Sequence, residues 1–119
     1  MKSYIYSIRD IEKDKVVYVG NTKDTKRRCR EHMREIEKGV HKIKQLNTYR
    51  PEQLEFNIEY ELDTDCSLVV NMMECFVNDL YKPYNRMVIK GFKSNTITLA
   101  RTGNKEFIKD MIDTCKKYY

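Results

Sequence analysis

The sequence predicts an α+β fold: a small three-stranded antiparallel sheet flanked by helices, with a C-terminal extension that ends in a helix. Three observations point there. Two short β-type runs lie close together near the N-terminus with only a polar turn between them. A strictly alternating run occupies residues 54–62. Two stretches with helical apolar spacing flank that run.

The elements follow in order. Ser3 to Ile8 alternates large apolar residues with small polar ones and reads as a strand. Arg9 to Lys15 is charged and turn-like. Val16-Val17-Tyr18-Val19 is β-branched and aromatic, ends at Gly20, and completes a hairpin. Asn21-Thr22-Lys23-Asp24-Thr25 is rich in N-cap residues. Cys29, Met33 and Ile36 then recur at helical spacing, and Gly39 closes that helix. Ile43 and Leu46 suggest a short second helix before Pro51. In the alternating run, Leu54, Phe56, Ile58, Tyr60 and Leu62 form one apolar face of a half-buried strand. Asp63 to Ser67 again supplies caps, and Val69, Met72, Met73, Phe76 and Leu80 mark an amphipathic helix stopped before Pro83. Met87 to Phe92 and Thr96 to Leu99 are further strand-like runs, and Phe107, Ile108, Met111, Ile112 and Cys115 outline a terminal helix.

With 119 residues, the chain has the length of one domain. Its residues are 40% hydrophobic and 34% charged, the balance of a soluble globular protein. There is no apolar run long enough for a transmembrane helix and no signal-peptide core, so an intracellular location with no membrane partner is the expectation. Cys29, Cys66, Cys75 and Cys115 lack the spacing of a zinc knuckle or a redox motif and read as reduced, packing thiols. Cys29 and His32 share a helix, but two ligands do not make a zinc site.

Charge is segregated along the chain. Lys2 to Arg50 carries 14 basic and 7 acidic residues, for +7. Pro51 to Tyr81 carries 8 acidic residues and no basic one, for −8. Lys82 to Tyr119 carries 9 basic and 3 acidic residues, for +6. Basic ends suit a polyanion such as DNA. The bland reading is that charge runs are solvated faces.

One set of polar residues forms a pattern. Tyr6 and Tyr18 sit on paired strands, and Arg28 and His32 lie four apart on the first helix, on a face distinct from Cys29, Met33 and Ile36. Glu74 stands in the later helix on a polar stripe with Asn71 and Asn78, at the margin of the buried face. Taken singly, each has an ordinary reading: tyrosines packed on a sheet, a surface or capping histidine, a surface glutamate. Asn85 by itself is a turn residue. His41 has no partner that the sequence names.

Together they carry a resemblance. Tyr4-Ile5-Tyr6, then Tyr18-Val19-Gly20, then Arg28 and His32, then Glu74 and Lys82-Pro83-Tyr84-Asn85, resemble the signature of the GIY-YIG nucleases in order and spacing. The resemblance covers about residues 3 to 86. It implies a nuclease core over 1–86, with 87–119 as a basic extension packed on it rather than a separate domain. It further implies a metal-dependent endonuclease that hydrolyses DNA phosphodiester bonds. Tyr6 matches the water activator or positioner, Tyr18 the second motif tyrosine, Arg28 the essential arginine, His32 an assisting position and Glu74 the single metal ligand. Asn85 matches a structural or phosphate-orienting asparagine, and Arg27 and Arg30 are candidates for contact with the DNA backbone.

The chemistry agrees in kind. Mg²⁺ or Mn²⁺ takes oxygen ligands and often has only one or two protein carboxylates. Arginine is a permanently charged planar fork suited to phosphate oxygens.

There are two departures. Tyr4 replaces the motif glycine, and Asn21 stands where some relatives place a lysine. A chain this short leaves no room for a separate recognition domain, so modest sequence specificity is expected, or structure-guided cutting, or targeting through a homodimer or a partner protein. The alternative is a catalytically silent nucleic-acid-binding module that keeps the nuclease fold.

Overall fold

The computed structural model describes residues 2–85. The expected strands at 87–92 and 96–99 and the terminal helix lie outside the described residues. Strand β1 (Ser3–Asp10) and strand β2 (Lys15–Thr22) form the hairpin. Helix α1 (Thr25–Lys38) follows, then two short 3₁₀ turns (Lys44–Thr48 and Pro51–Gln53), strand β3 (Leu54–Leu62) and helix α2 (Ser67–Tyr81). The sheet is antiparallel with order β2-β1-β3, so β1 is central.

Both hairpin strands run further than the charged turn suggested. Arg9 pairs with Asp14 at 2.6 Å and with Glu55 of β3 at 2.7 Å, so charge at this end is satisfied across the sheet. The turn shrinks to residues 11–14. There the Asp10 carboxylate accepts from the Lys13 amide, and Asp14 takes a left-handed φ of 50°.

Helix α1 begins as expected: Asp24 Oδ1 accepts from the Arg27 amide at 3.0 Å. Gly39 ends it at φ 69°, where a side chain would be strained, and Val40 donates back to the Glu35 carbonyl. Helix α2 departs from expectation at its start. The N-cap position falls on Cys66, which makes no side-chain cap bond, although Thr64 Oγ1 accepts from the Cys66 amide.

The sheet is covered on both faces. On one face Ile5, Val19 and Leu62 pack with Val69, Val70, Met73, Phe76 and Val77 of α2. On the other, Tyr6, Ile8, Val17 and Leu54 pack with Ile36 of α1 and with Leu46.

This corrects the single apolar face expected for β3. Its register against β1 shifts between Ile5 and Tyr6: Ile5 pairs with Tyr60, and Tyr6 pairs with Ile58. A bulge at Glu59 moves Tyr60 and Leu62 to the α2 side, while Leu54 and Phe56 stay on the α1 side. Ile58 is left 47% exposed. In α2, Leu80 is likewise exposed rather than buried, and the polar Asn78 is fully buried. No described helix is long and apolar enough to cross a membrane.

Candidate active site

Neighbouring residues on a strand face opposite sides of the sheet. Tyr6 of β1 and Gly20 of β2 are register partners, as are Ile8 and Tyr18. All therefore open onto the α1 side. Tyr6 is buried and stacks on Phe56, with ring centroids 4.6 Å apart. Tyr18 is half-buried and meets the His32 ring edge-on at 4.6 Å.

Gly20 is required by this packing. A Cβ there would come within 2.6 Å of Tyr6 Cζ and 3.0 Å of Tyr18 Cε1. The motif glycine thus leaves room for both motif tyrosines. Tyr4, in place of the other motif glycine, is half-buried between Thr22 and Glu61 in the sheet register.

Helix α1 supplies the opposite wall. His32 is fully buried together with Ile36, while Cys29 and Met33 are half-buried. This corrects the expectation of two separate faces: the inward stripe of α1 runs along Arg28, His32 and Ile36. His32 Nε2 lies 2.6 Å from the Tyr6 hydroxyl. His32 Nδ1 lies 2.8 Å from Nε2 of His41, whose ring stacks on that of His32. His41 therefore has a partner that sequence reasoning missed. It comes from the loop after α1, where no periodicity marks a position.

Electrostatics divide these groups. Burial, helped by the positive charge of Arg28, drives His32 down to about 3, so its ring is neutral. Burial also lowers His41. Burial and the adjacent Tyr18 raise the Tyr6 hydroxyl above the ordinary tyrosine range, and Arg28 pulls the other way. Burial opposes the charge on Arg28, but Tyr6, Glu31 and Tyr18 outweigh it and keep the guanidinium charged. Arg28 Nη1 donates to Glu31 at 2.8 Å. Arg27 and Arg30 are exposed on the outside of α1, and Arg27 lies 3.5 Å from Glu31.

Glu74 approaches from α2. Asn21, next to Gly20 on β2, donates from Nδ2 to Glu74 Oε2 at 3.0 Å. Burial raises the Glu74 carboxyl, and that hydrogen bond partly offsets the shift. Asn21 is thus a neutral donor to Glu74.

Asn85 braces the frame. Its side chain accepts from the Val19 amide at 3.1 Å and donates to the Val19 carbonyl at 2.6 Å, while Asn78 of α2 donates to its backbone carbonyl.

Among the described residues, two places bring metal-ligand atoms to consider. Glu74 offers hard oxygen, which fits Mg²⁺ or Mn²⁺. His32, Glu35 and His41 bring ligand atoms within 4.8 Å of one another. Cys29 is not in that group.

The family model of the GIY-YIG catalytic domain matches residues 2–101. The chain belongs to the GIY-YIG family. Among curated proteins, this GIY-YIG domain is 27% identical over 119 residues to intron-associated endonuclease 1 of Enterobacteria phage T4. The match covers 98% of this chain and 48% of that protein, so the chain spans about half the length of the curated relative. Among solved structures, it resembles the catalytic domain of the homing endonuclease I-TevI. There the TM-score is 0.62 at 26% identity, over 72% of this chain and 99% of that one. A mutant form of the same domain, titled as an intron endonuclease, gives a TM-score of 0.60 at 28% identity, over 71% of this chain and 93% of that one. The three-stranded antiparallel sheet and two helices of the described residues thus have the fold of a GIY-YIG endonuclease catalytic domain.

Proposed function

We propose that this GIY-YIG domain is a metal-dependent endonuclease that hydrolyses DNA phosphodiester bonds. One observation carries the reading. Gly20 admits Tyr6 and Tyr18 side by side against His32 and beside Arg28, while its neighbour Asn21 holds Glu74. The relatives are named as intron-associated, intron and homing endonucleases, which supports DNA as the polymer cut.

The roles follow from the chemistry. Arg28 pairs with non-bridging phosphate oxygens as a fixed cation. Tyr6 starts as a neutral hydroxyl, because burial opposes its ionisation, so it positions the attacking water. It turns base only where the Arg28 charge favours the phenolate. His32 holds Tyr6 through the 2.6 Å bond, and Tyr18 closes the wall beside both. Glu74 would hold one divalent ion, Mg²⁺ or Mn²⁺. Such an ion, when bound, supplies Lewis-acid polarisation of a phosphoryl oxygen and a template for the substrate. Arg27 and Arg30 contact the DNA backbone from outside the cleft. Asn85, with both side-chain groups on Val19, holds β2 in place rather than touching phosphate. Residues 1–86 form the catalytic core, with 87–119 adding basic contacts.

The test is nicking of supercoiled plasmid with Mg²⁺ or Mn²⁺, against chelator, by the wild type, Glu74→Ala and Arg28→Ala. The expected result is metal-dependent nicking that falls at least about 100-fold in either variant, with circular dichroism unchanged. Intact plasmid and intact branched DNA, together with retained salt-sensitive binding, would overturn the reading in favour of a silent binding module.

A further inference from the structure

His41 has no role in the mechanism above, yet it is 6% exposed and held on every side. Its backbone amide donates to Asn47 Oδ1 at 2.8 Å, and its carbonyl accepts from Asn47 Nδ2 at 3.0 Å. Its Nδ1 faces the Ile43 amide at 3.0 Å. Its Nε2 faces His32 Nδ1 at 2.8 Å.

These contacts fix the direction of a hydrogen-bond chain. A backbone N–H can only donate, so His41 Nδ1 must carry the lone pair. The single hydrogen of the neutral ring is then on Nε2. That hydrogen points at His32 Nδ1, which must in turn accept. The hydrogen of His32 is therefore on Nε2 and is donated to the Tyr6 oxygen at 2.6 Å. Protonating either ring would set two hydrogens against each other, at Ile43 or between the rings. Burial acts in the same direction.

We infer that His41 is a positioning residue: through the chain Ile43 N–H to His41 to His32, it sets His32 as a donor to Tyr6 and so turns the hydroxyl hydrogen of Tyr6 away from His32. The Tyr6 oxygen then always receives one N–H from inside the protein. Its own hydrogen points away from His32, and any negative charge it develops is met by a donor already in place. The same logic decides the use of the His32, Glu35 and His41 group. A metal on His41 Nε2 would need a lone pair there and a hydrogen on Nδ1, against the Ile43 amide. Glu35 stands 3.8 Å from His41 Nε2, outside hydrogen-bond distance, and biases that ring only by its charge. The group is a relay and not a metal centre.

The catalytic consequence rests on the nuclease reading, but the tautomers do not. The chain has only two histidines, so multiple-bond ¹H–¹⁵N spectra of the intact protein at neutral pH assign both rings with His32→Gln and His41→Gln as references. The expected result is an Nε2–H tautomer for both, unmoved by one equivalent of diamagnetic Zn²⁺. An Nδ1–H tautomer at either ring, or stoichiometric perturbation of both rings by metal, would overturn the relay. Nicking kinetics then compare His41→Gln, which keeps an N–H at that reach, with His41→Leu, which removes it. The expected kcat loss is about 10- to 100-fold for Leu and within about threefold for Gln, at unchanged KM. Equal losses in two folded variants would overturn the positioning role. Should Leu fail to fold, Gln and the tautomers decide. Should the wild type cut nothing, it is the nuclease reading that fails, and the tautomers still decide the relay.

Discussion

At the scale of single residues, the site depends as much on a missing atom as on the groups present. Gly20 is in extended β2, so its value is not backbone freedom but the space above it, which the Tyr6 ring fills. Tyr6 cannot retreat, since Phe56 stacks on it and His32 holds its hydroxyl. Gly20→Ala is therefore expected to lower stability by about 1–3 kcal/mol, the range for overpacking a filled core. It should also cost more activity than its stability loss explains, because Tyr6 and Tyr18 are the side chains on which the added methyl presses. Urea unfolding alongside nicking rates checks both. An alanine variant with wild-type stability would show that the Tyr6 ring shifts without cost.

At the scale of elements, the site joins parts that do not touch in sequence. Asn85 binds both backbone groups of Val19, and Asn78 of α2 reaches the Asn85 carbonyl, so β2 and the end of α2 are tied through one residue. Asn85→Ala leaves the Val19 amide and carbonyl to find other partners and should cost about 1–3 kcal/mol, read by denaturant midpoint. Asn85→Asp keeps an acceptor for the amide but sets a carboxylate oxygen against the Val19 carbonyl, so its stability should fall at least as far as that of alanine. This brace shows where a sequence can and cannot be read. Strand and helix periodicity gave the order of elements, because apolar spacing reports which face is buried. It misplaced Tyr60 and Leu62, because one bulge residue reverses the faces and leaves no mark in an alternating pattern. It could place Tyr6, Tyr18, Arg28 and Glu74 on elements. It could not find His41 or assign Asn85 to Val19, because loop residues meet their partners through tertiary path alone.

At the scale of the whole molecule, charge is divided by element. Helix α1 presents Arg27, Arg30 and Arg34 to solvent beside the cleft that holds Arg28. Residues 51–81, which supply β3 and α2, carry 8 acidic groups and no basic one. A polyanion approaching this surface is therefore drawn to the α1 side, where the tyrosines open, and repelled from β3. Arg27 is partly committed, since it lies 3.5 Å from Glu31. Exposed pairs of that kind are weak, and phosphate competes for the guanidinium on nearly equal terms. If α1 is the docking face, removing its outer arginines should change the salt dependence of binding and not merely its strength. Every phosphate that the protein no longer neutralises should lower the slope of log K against log salt by about 0.9. The triple variant Arg27→Ala, Arg30→Ala, Arg34→Ala should then flatten the slope on duplex DNA by about 2 to 3, while Glu52→Gln on the acidic side leaves it unchanged. Fluorescence anisotropy over a salt series measures this without any cleavage. A triple variant with the wild-type slope would move the docking face off α1 and onto the basic residues after Tyr81.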